Sequence, residues 1–201
     1  MNIKDAKICV IGLGYVGLPL ARLFSTKYPT IGFDMNEERV RSLMTGHDST
    51  LEVSDELLRS AIQNGFRCTA DIEDIRGCNF YVIAVPTPVD SENRPDLSPL
   101  YAASETVGKV ISKGDVVVYE STVYPGVTED ECIPVVERVS GLEFNRDFFA
   151  GYSPERINPG DKEHTVEKIR QVSSGSTPEI GRLVDAVYAS VIQAGTHLAP
   201  T

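Results

Sequence analysis

The sequence is short of positive charge: 19 lysines and arginines face 29 aspartates and glutamates over 201 residues, for a net charge of −10. So acidic a chain repels polyanions, which excludes nucleic acid and an anionic membrane as its main partners. It also disfavours anionic ligands at long range, so a phosphate-bearing ligand must be held by local backbone amides and a few basic groups. No apolar run is long enough to cross a bilayer. The first residues lead almost directly into an apolar strand pattern without a signal-peptide pattern, so a cytoplasmic protein is expected. Cysteine and histidine are sparse. The four cysteines (Cys9, Cys68, Cys78 and Cys132) form no C-x-x-C pair and the three histidines lie far apart, so no metal site is expected and the thiols are read as reduced. Hydrophobic residues at 41% and charged residues at 24% are ordinary for a globular chain, long enough for one large domain or a domain plus an extension.

What is present is organised around Ile8-Cys9-Val10-Ile11-Gly12-Leu13-Gly14-Tyr15-Val16-Gly17. An apolar, β-branched strand runs into a glycine turn, and Val16, Leu20, Leu23 and Phe24 then recur at helical spacing. Gly12, Gly14 and Gly17 make G-x-G-x-x-G. The first glycine permits the tight turn, the second lets a pyrophosphate approach the backbone, and the third lets the helix pack close to the strand. The amides of Tyr15 and Val16 at the helix start face the phosphates, with the helix dipole behind them. The run Thr30–Phe33 reads as the second strand and ends on Asp34, at the spacing of an acid that accepts hydrogen bonds from an adenosine ribose. No arginine follows it directly to take a 2′-phosphate, so NAD is expected over NADP. Arg39, five residues on, is a candidate for the adenine side or a solvated helix arginine.

Further along, strand and helix patterns alternate. Helices are expected over Glu37–Leu43, from Ser54 to Asn64-Gly65, from Ser98-Pro99 through Ile111, over Thr128–Val139 and over Pro178–Val191, with a short one at Ile72–Ile75. Strands are expected at Phe66–Thr69, Asn79–Val85, Val116–Tyr119, Phe148–Tyr152 and Gln171–Gly175. Thr45–Ser54 and Ser153–Gly160 read as loops, and the tail His197–Thr201 has no completed element after it. The pattern is an α/β domain, Rossmann-type and doubly wound, with a mainly parallel sheet and helices on both faces. Ligands in such sheets bind beyond the carboxyl ends of the strands, and each loop of interest follows a strand.

Four stretches occur in order: Gly12-Leu13-Gly14-Tyr15-Val16-Gly17-Leu18-Pro19, Val85-Pro86-Thr87-Pro88, Glu120-Ser121-Thr122-Val123 and Ser153-Pro154-Glu155-Arg156. Together they resemble the nucleotide-sugar dehydrogenase family, which includes UDP-glucose and GDP-mannose dehydrogenases. The form Gly151-Tyr152-Ser153-Pro154-Glu155-Arg156-Ile157-Asn158-Pro159-Gly160-Asp161 is similar to the branch that oxidises UDP-N-acetylhexosamines. The UDP-glucose branch usually carries a second glutamate four positions after the first, where this sequence has Pro159.

The resemblance implies a reaction in which NAD accepts two hydrides while a sugar C6 alcohol becomes a carboxylate, by way of an aldehyde, a thiohemiacetal and a thioester that water hydrolyses. It implies a longer enzyme, whose central helix carries a lysine and an asparagine and the homodimer contact, and whose second domain carries the nucleotide-sugar site and the catalytic cysteine. The sequence matches the first part, so none of its cysteines is read as catalytic, and the chain alone is expected to be inactive. Glu155 is the candidate base for the attacking water, against a surface glutamate after a turn. Thr122 is a candidate to hydrogen-bond that water or an oxyanion, against a strand-end threonine that satisfies backbone. The resemblance places Pro86, Thr87, Ser121 and Thr122 against NAD, and Arg156 is a weaker candidate to face the substrate. The alternatives are a UDP-glucose or GDP-mannose 6-dehydrogenase domain, another hydroxyacid-type dehydrogenase, or a stand-alone NAD-binding module without catalysis.

Overall fold

Ile8–Ile11 (β1), Phe80–Ile83 (β4) and Val116–Tyr119 (β5) are apolar and buried at every position. Only a strand covered on both faces can use such a run. The computed structural model describes residues 2–157 and 165–200. Its sheet adds Thr30–Phe33 (β2), Arg67–Thr69 (β3), Phe149–Tyr152 (β6), Gln171–Gly175 (β7) and Thr196–Leu198 (β8). The order is β3-β2-β1-β4-β5-β6-β7-β8. The strands from β3 through β6 all run parallel, in a register that sets Val10 beside Gly32 and Val82, and Val118 beside Val82 and Gly151. The first six strands follow the doubly wound dinucleotide-binding order, as the sequence leads one to expect. β7 runs antiparallel to β6, and β8 parallel to β7.

The two faces bury alternate strand residues. Ile8 and Val10 belong to one core with Leu20, Leu23 and Phe24 of α1 (Gly17–Phe24), Leu43 of α2 (Glu37–Met44), Leu58 of α3 (Asp55–Gln63) and Val184 and Tyr188 of α6 (Pro178–Ala189). Cys9 and Ile11 belong to the other, with Leu100 and Val107 of α4 (Ser98–Gly108) and Val136 of α5 (Ile133–Ser140). Among the described residues no helix is long and apolar enough to cross a membrane.

The structure departs from the sequence expectations in three places. A strand absent from those expectations forms where the backbone of Thr196–Leu198 pairs with Gln171–Ser173; three residues are too few for periodicity to reveal. The expected helix over Thr128–Val139 splits into a π-type segment, Val127–Cys132, followed by α5. Pro134 has no N–H to donate back to residue 130, so the regular ladder begins around it. α4 stops at Gly108, and Val110 and Ile111 are buried just beyond it.

The polar stretch after α2 is a loop, but not a loose one. Asp48 is fully buried there. It accepts from Thr50 N (3.0 Å) and Thr50 Oγ1 (2.7 Å) on one oxygen, and from Glu52 N and Val53 N (both 3.0 Å) on the other. Arg39 Nη2 lies 2.7 Å from Asp48, and Arg39 also donates from Nε (3.0 Å) and Nη2 (2.8 Å) to the carbonyl of Leu13. The loop is thereby tied to the glycine turn. Burial raises the Asp48 pKa, but these donors outweigh it and hold the carboxyl below its usual range. Asp48→Ala leaves the Arg39 charge half-desolvated and four donors without an acceptor, and is expected to cost about 3 kcal/mol in urea unfolding. A loss below about 1 kcal/mol, the range of an exposed pair, contradicts the clamp.

Candidate active site

The turn after β1 is set by what its glycines lack. Gly12 has φ +90°, and a Cβ there would stand 2.9 Å from the Ala84 carbonyl oxygen. A Cβ on Gly17 would stand 1.8 Å from the carbonyl oxygen of Gly12, so α1 packs on the turn at a distance that no side chain permits. A Cβ on Gly14 would meet nothing within 4 Å. Gly14 therefore borders open space, where a ligand's backbone-hugging group has room. Val16 precedes the helix with no side-chain cap, whereas Asn36, Ser54 and Thr177 cap α2, α3 and α6. Tyr15 is half exposed. Leu13, between the glycines, is held at both ends of its backbone: its N–H donates to Asp34 Oδ2 (2.9 Å) and its carbonyl accepts from Arg39. Asp34 Oδ1 accepts from Asn36 N (2.9 Å). Each carboxylate oxygen retains further acceptor capacity for ribose hydroxyls. An open cradle, an uncapped helix start and a carboxylate beside them fit a dinucleotide, with the pyrophosphate at Gly14.

Next to the turn, a cleft of about 150 Å³ opens at the carboxyl ends of β4, β5 and β6. Val16, Ala84, Pro86, Thr87, Ser121, Thr122, Glu120 and Glu155 are among its walls. Thr87 Oγ1 donates to the Thr122 carbonyl (3.0 Å) and Ser121 Oγ to the Val85 carbonyl (2.6 Å), which laces the loops after β4 and β5 together. Glu155 N donates to the Glu120 carbonyl (2.9 Å), which brings in the loop after β6. Of the sequence-stated candidates, the structure thus gathers Val16, Pro86, Thr87, Ser121, Thr122 and Glu155 in one cleft. Gly12 and Gly17 approach the cleft wall at Ala84, Gly14 and Tyr15 belong to the same turn, and Asp34 and Arg39 hold the backbone of Leu13. Arg39 is not a solvated arginine: its side chain is 11% exposed. Arg156 is exposed and does not line the cleft. The part of the motif from Asn158 to Asp161, Pro159 included, lies outside the described residues. A larger hollow of about 220 Å³, bounded by Thr128, Phe144, Tyr152 and Ser176, includes none of the candidate residues.

The cleft holds one functional group the sequence reading passed over. Glu120 is 2% exposed and receives the hydroxyl of Tyr188. Burial pushes its carboxyl up to about 8, against the pull of Tyr188 and Ser153 and with the push of the Glu155 charge. Its signal in the sequence is an acid that closes the apolar run Val116–Tyr119. Burial also raises Glu155, while the N–H groups of Ile157 and Arg156 pull it back. Among the described residues Glu155 Oε2 is buried with no partner. The four cysteines are buried and none lines the cleft; burial pushes Cys68 up to about 12 and Cys132 up to about 11. Among the described residues no three histidine, cysteine or acidic side chains gather to hold a metal ion.

These features define a class first: a doubly wound dinucleotide-binding domain with a carboxyl-bearing cleft beside its glycine turn. The UDP-glucose/GDP-mannose dehydrogenase family, NAD binding domain, matches residues 6–192, and the chain belongs to that family as its NAD-binding domain. It is 58% identical over 196 residues to a UDP-N-acetyl-D-glucosamine 6-dehydrogenase of Pseudomonas aeruginosa, covering 98% of this chain and 46% of that one. It is 54% identical over 198 residues to an enzyme of the same name from Salmonella typhi, covering 98% and 46%. Among solved structures, the UDP-D-ManNAc dehydrogenase of Pyrococcus horikoshii superposes with a TM-score of 0.87 at 31% identity, covering 97% of this chain and 47% of that one. The chain spans about half the length of the curated relatives it matches.

The glycine geometry separates two substitutions. Gly17→Ala forces α1 off the turn and is expected to cost about 1–3 kcal/mol of stability in urea unfolding. Gly14→Ala enters open space and is expected to leave stability within about 0.5 kcal/mol. It fills the cradle, however, and is expected to weaken NAD binding about 10- to 100-fold by calorimetry. Undiminished affinity in Gly14→Ala contradicts the placement of the pyrophosphate.

Proposed function

We propose that the chain is the cofactor-binding and water-activating part of a UDP-N-acetylhexosamine 6-dehydrogenase, which oxidises the C6 alcohol of the sugar to a carboxylate in two NAD-dependent steps. The support for this substrate class is the identity to enzymes named for UDP-N-acetyl-D-glucosamine. The observation that carries the chemistry is Glu155, whose Oε2 is buried in the cleft beside the glycine turn and has no partner among the described residues. NAD, when bound, supplies the hydride acceptor. Gly14, Tyr15 and Val16 offer the turn to its pyrophosphate, and Asp34 accepts from the adenosine ribose. Arg39 acts on the cofactor at one remove, by fixing the Leu13 carbonyl. Thr87 and Ser121, spent on the bonds that join the β4 and β5 loops, shape the wall between the cofactor and the reacting carbon.

In the hydrolytic step Glu155 takes a proton from the attacking water. A carboxyl raised by burial is a better base than a free one, and Oε2 has acceptor capacity to spare. Thr122, exposed at the cleft, hydrogen-bonds the water or the carbonyl oxygen under attack. The nucleotide-sugar site, the covalent thiol and the dimer contact are assigned to the rest of the enzyme.

Three outcomes follow for the purified chain and the full-length enzyme. Because Asp34 repels a 2′-phosphate, NAD is expected to bind the chain at least about tenfold more tightly than NADP; equal affinities by calorimetry contradict the role of Asp34. The chain is expected to produce no NADH from any UDP-sugar, since neither thiol nor sugar site is within it, and sustained NADH production overturns that division. In the full-length enzyme, Glu155→Gln is expected to slow hydrolysis more than hydride transfer and to leave an acyl-enzyme adduct visible by intact-protein mass spectrometry. Turnover at the wild-type rate without an adduct removes Glu155 from the mechanism.

A further inference from the structure

A carboxyl that closes an apolar strand is costly to bury unless its surroundings are built for it. Those of Glu120 come from three separate parts of the chain. Tyr188 of α6 donates its hydroxyl to Oε1. Gln171 of β7 reaches Oε2 with Nε2 at 3.4 Å, and the same nitrogen donates to Ser153 Oγ at 2.9 Å. Ser153 is fully buried, and its hydroxyl pulls against the burial that raises Glu120. The backbone carbonyl of Glu120 in turn accepts the N–H of Glu155. Glu120 and Glu155 are thus fastened together and line one cleft. No lysine, arginine or histidine side chain among the described residues bonds to either carboxyl. Two carboxylates in one cleft, with no cation bonded to either among the described residues, do not both ionise cheaply, and one proton between them relieves the repulsion. Glu120 is the deeper of the two; Glu155 is only partly buried.

We infer that Glu120 is a positioning residue for Glu155: it anchors the loop that carries Glu155, and it holds the proton that leaves Glu155 the ionised member of the pair. The inference rests on the reading of Glu155 as the base for water attack. In that step the proton leaving water goes to Glu155, and the proton on Glu120 stays where it is. When Glu120 ionises as well, the cleft carries two negative charges, and negative charge developing on a carbonyl under attack is disfavoured. Among the described residues the titratable groups that face Glu120 are Glu155 from the loop after β6 and Tyr188 from α6; Gln171 is a neutral donor and Ser153 a neutral neighbour.

The test has two arms. In the first, the chain carries 13C-labelled glutamate, and the side-chain carboxyl resonances are followed by NMR against pH, with Glu120 assigned by its disappearance in Glu120→Gln. Glu120 is expected to titrate near 8. Its midpoint is expected to fall in Glu155→Gln, which removes the neighbouring charge, and to rise in Tyr188→Phe, which keeps the ring and removes a donor. A midpoint in the ordinary glutamate range, or one indifferent to both substitutions, overturns the pairing. In the second arm, the full-length enzyme is assayed for kcat and KM against pH. The wild type is expected to lose kcat as pH rises through the Glu120 midpoint. Glu120→Gln, which keeps the shape and cannot ionise, is expected to lack that limb. Glu120→Ala is expected to lower kcat about tenfold or more with the sugar KM nearly unchanged. A Glu120→Gln profile that matches the wild type overturns the role. If instead Glu155→Gln turns over normally, the positioning role falls together with the assignment of the base, while the coupled titrations of the first arm show that the failure lies in that assignment.

Discussion

The contact between Gly17 and the carbonyl of Gly12 governs the rest of the site. Because nothing larger than hydrogen fits between them, α1 presses on the end of β1, its start carries no side-chain cap, and Gly14 just before it borders open space. That orientation is held from outside by a short chain of polar bonds. Asp34 takes the N–H of Leu13, Arg39 takes its carbonyl, and the buried Asp48 neutralises Arg39. The turn is therefore not a flexible glycine loop but a backbone shape fixed by packing on one side and by charge on the other. A rigid array of amides can bind a phosphate without reorganising, which offsets the long-range repulsion of a chain with net charge −10.

The second constraint is dryness. β4 and β5, which end at the cleft, are buried over their whole length, so a polar group placed just beyond them enters a poorly solvated space. Both glutamates feel it, and in both the carboxyl is pushed toward its neutral form. The same desolvation that makes the two costly to hold raises the basicity that the proposed water attack asks of Glu155. The bonds among Thr87, Thr122, Ser121 and Val85 fix the loops around them, so the cleft is assembled by hydrogen bonds between loops rather than by any single element.

The sequence made legible those features whose chemistry is local. The roles of Gly12, Gly14 and Gly17 follow from a turn of six residues, and the strand runs announce burial on both faces. The gathering of Thr87, Ser121, Thr122 and Glu155 follows once parallel strands are assumed, since each residue stands just after a strand. What stayed hidden depends on distant partners. Glu120 acquires its character from Tyr188 and Gln171, 68 and 51 residues away. Asp48 looks like any loop acid until Arg39 folds onto it. The strand Thr196–Leu198 exists because β7 offers an edge, not because its own three residues favour one. The π-type segment before α5 gives way to the regular helix at Pro134, which lacks a backbone donor.

The central claim is that a dinucleotide lies from Asp34, across the glycine turn, to the cleft of Glu120 and Glu155. Backbone amide shifts followed by NMR as NAD is titrated into the 15N-labelled chain test it most directly. The account predicts the largest changes at Leu13–Gly17 and Asp34, followed by Thr87, Ser121 and Thr122, with the hollow around Thr128 and Ser176 unmoved. Changes centred on that hollow, or a response that leaves Gly14, Tyr15 and Val16 untouched, would contradict it.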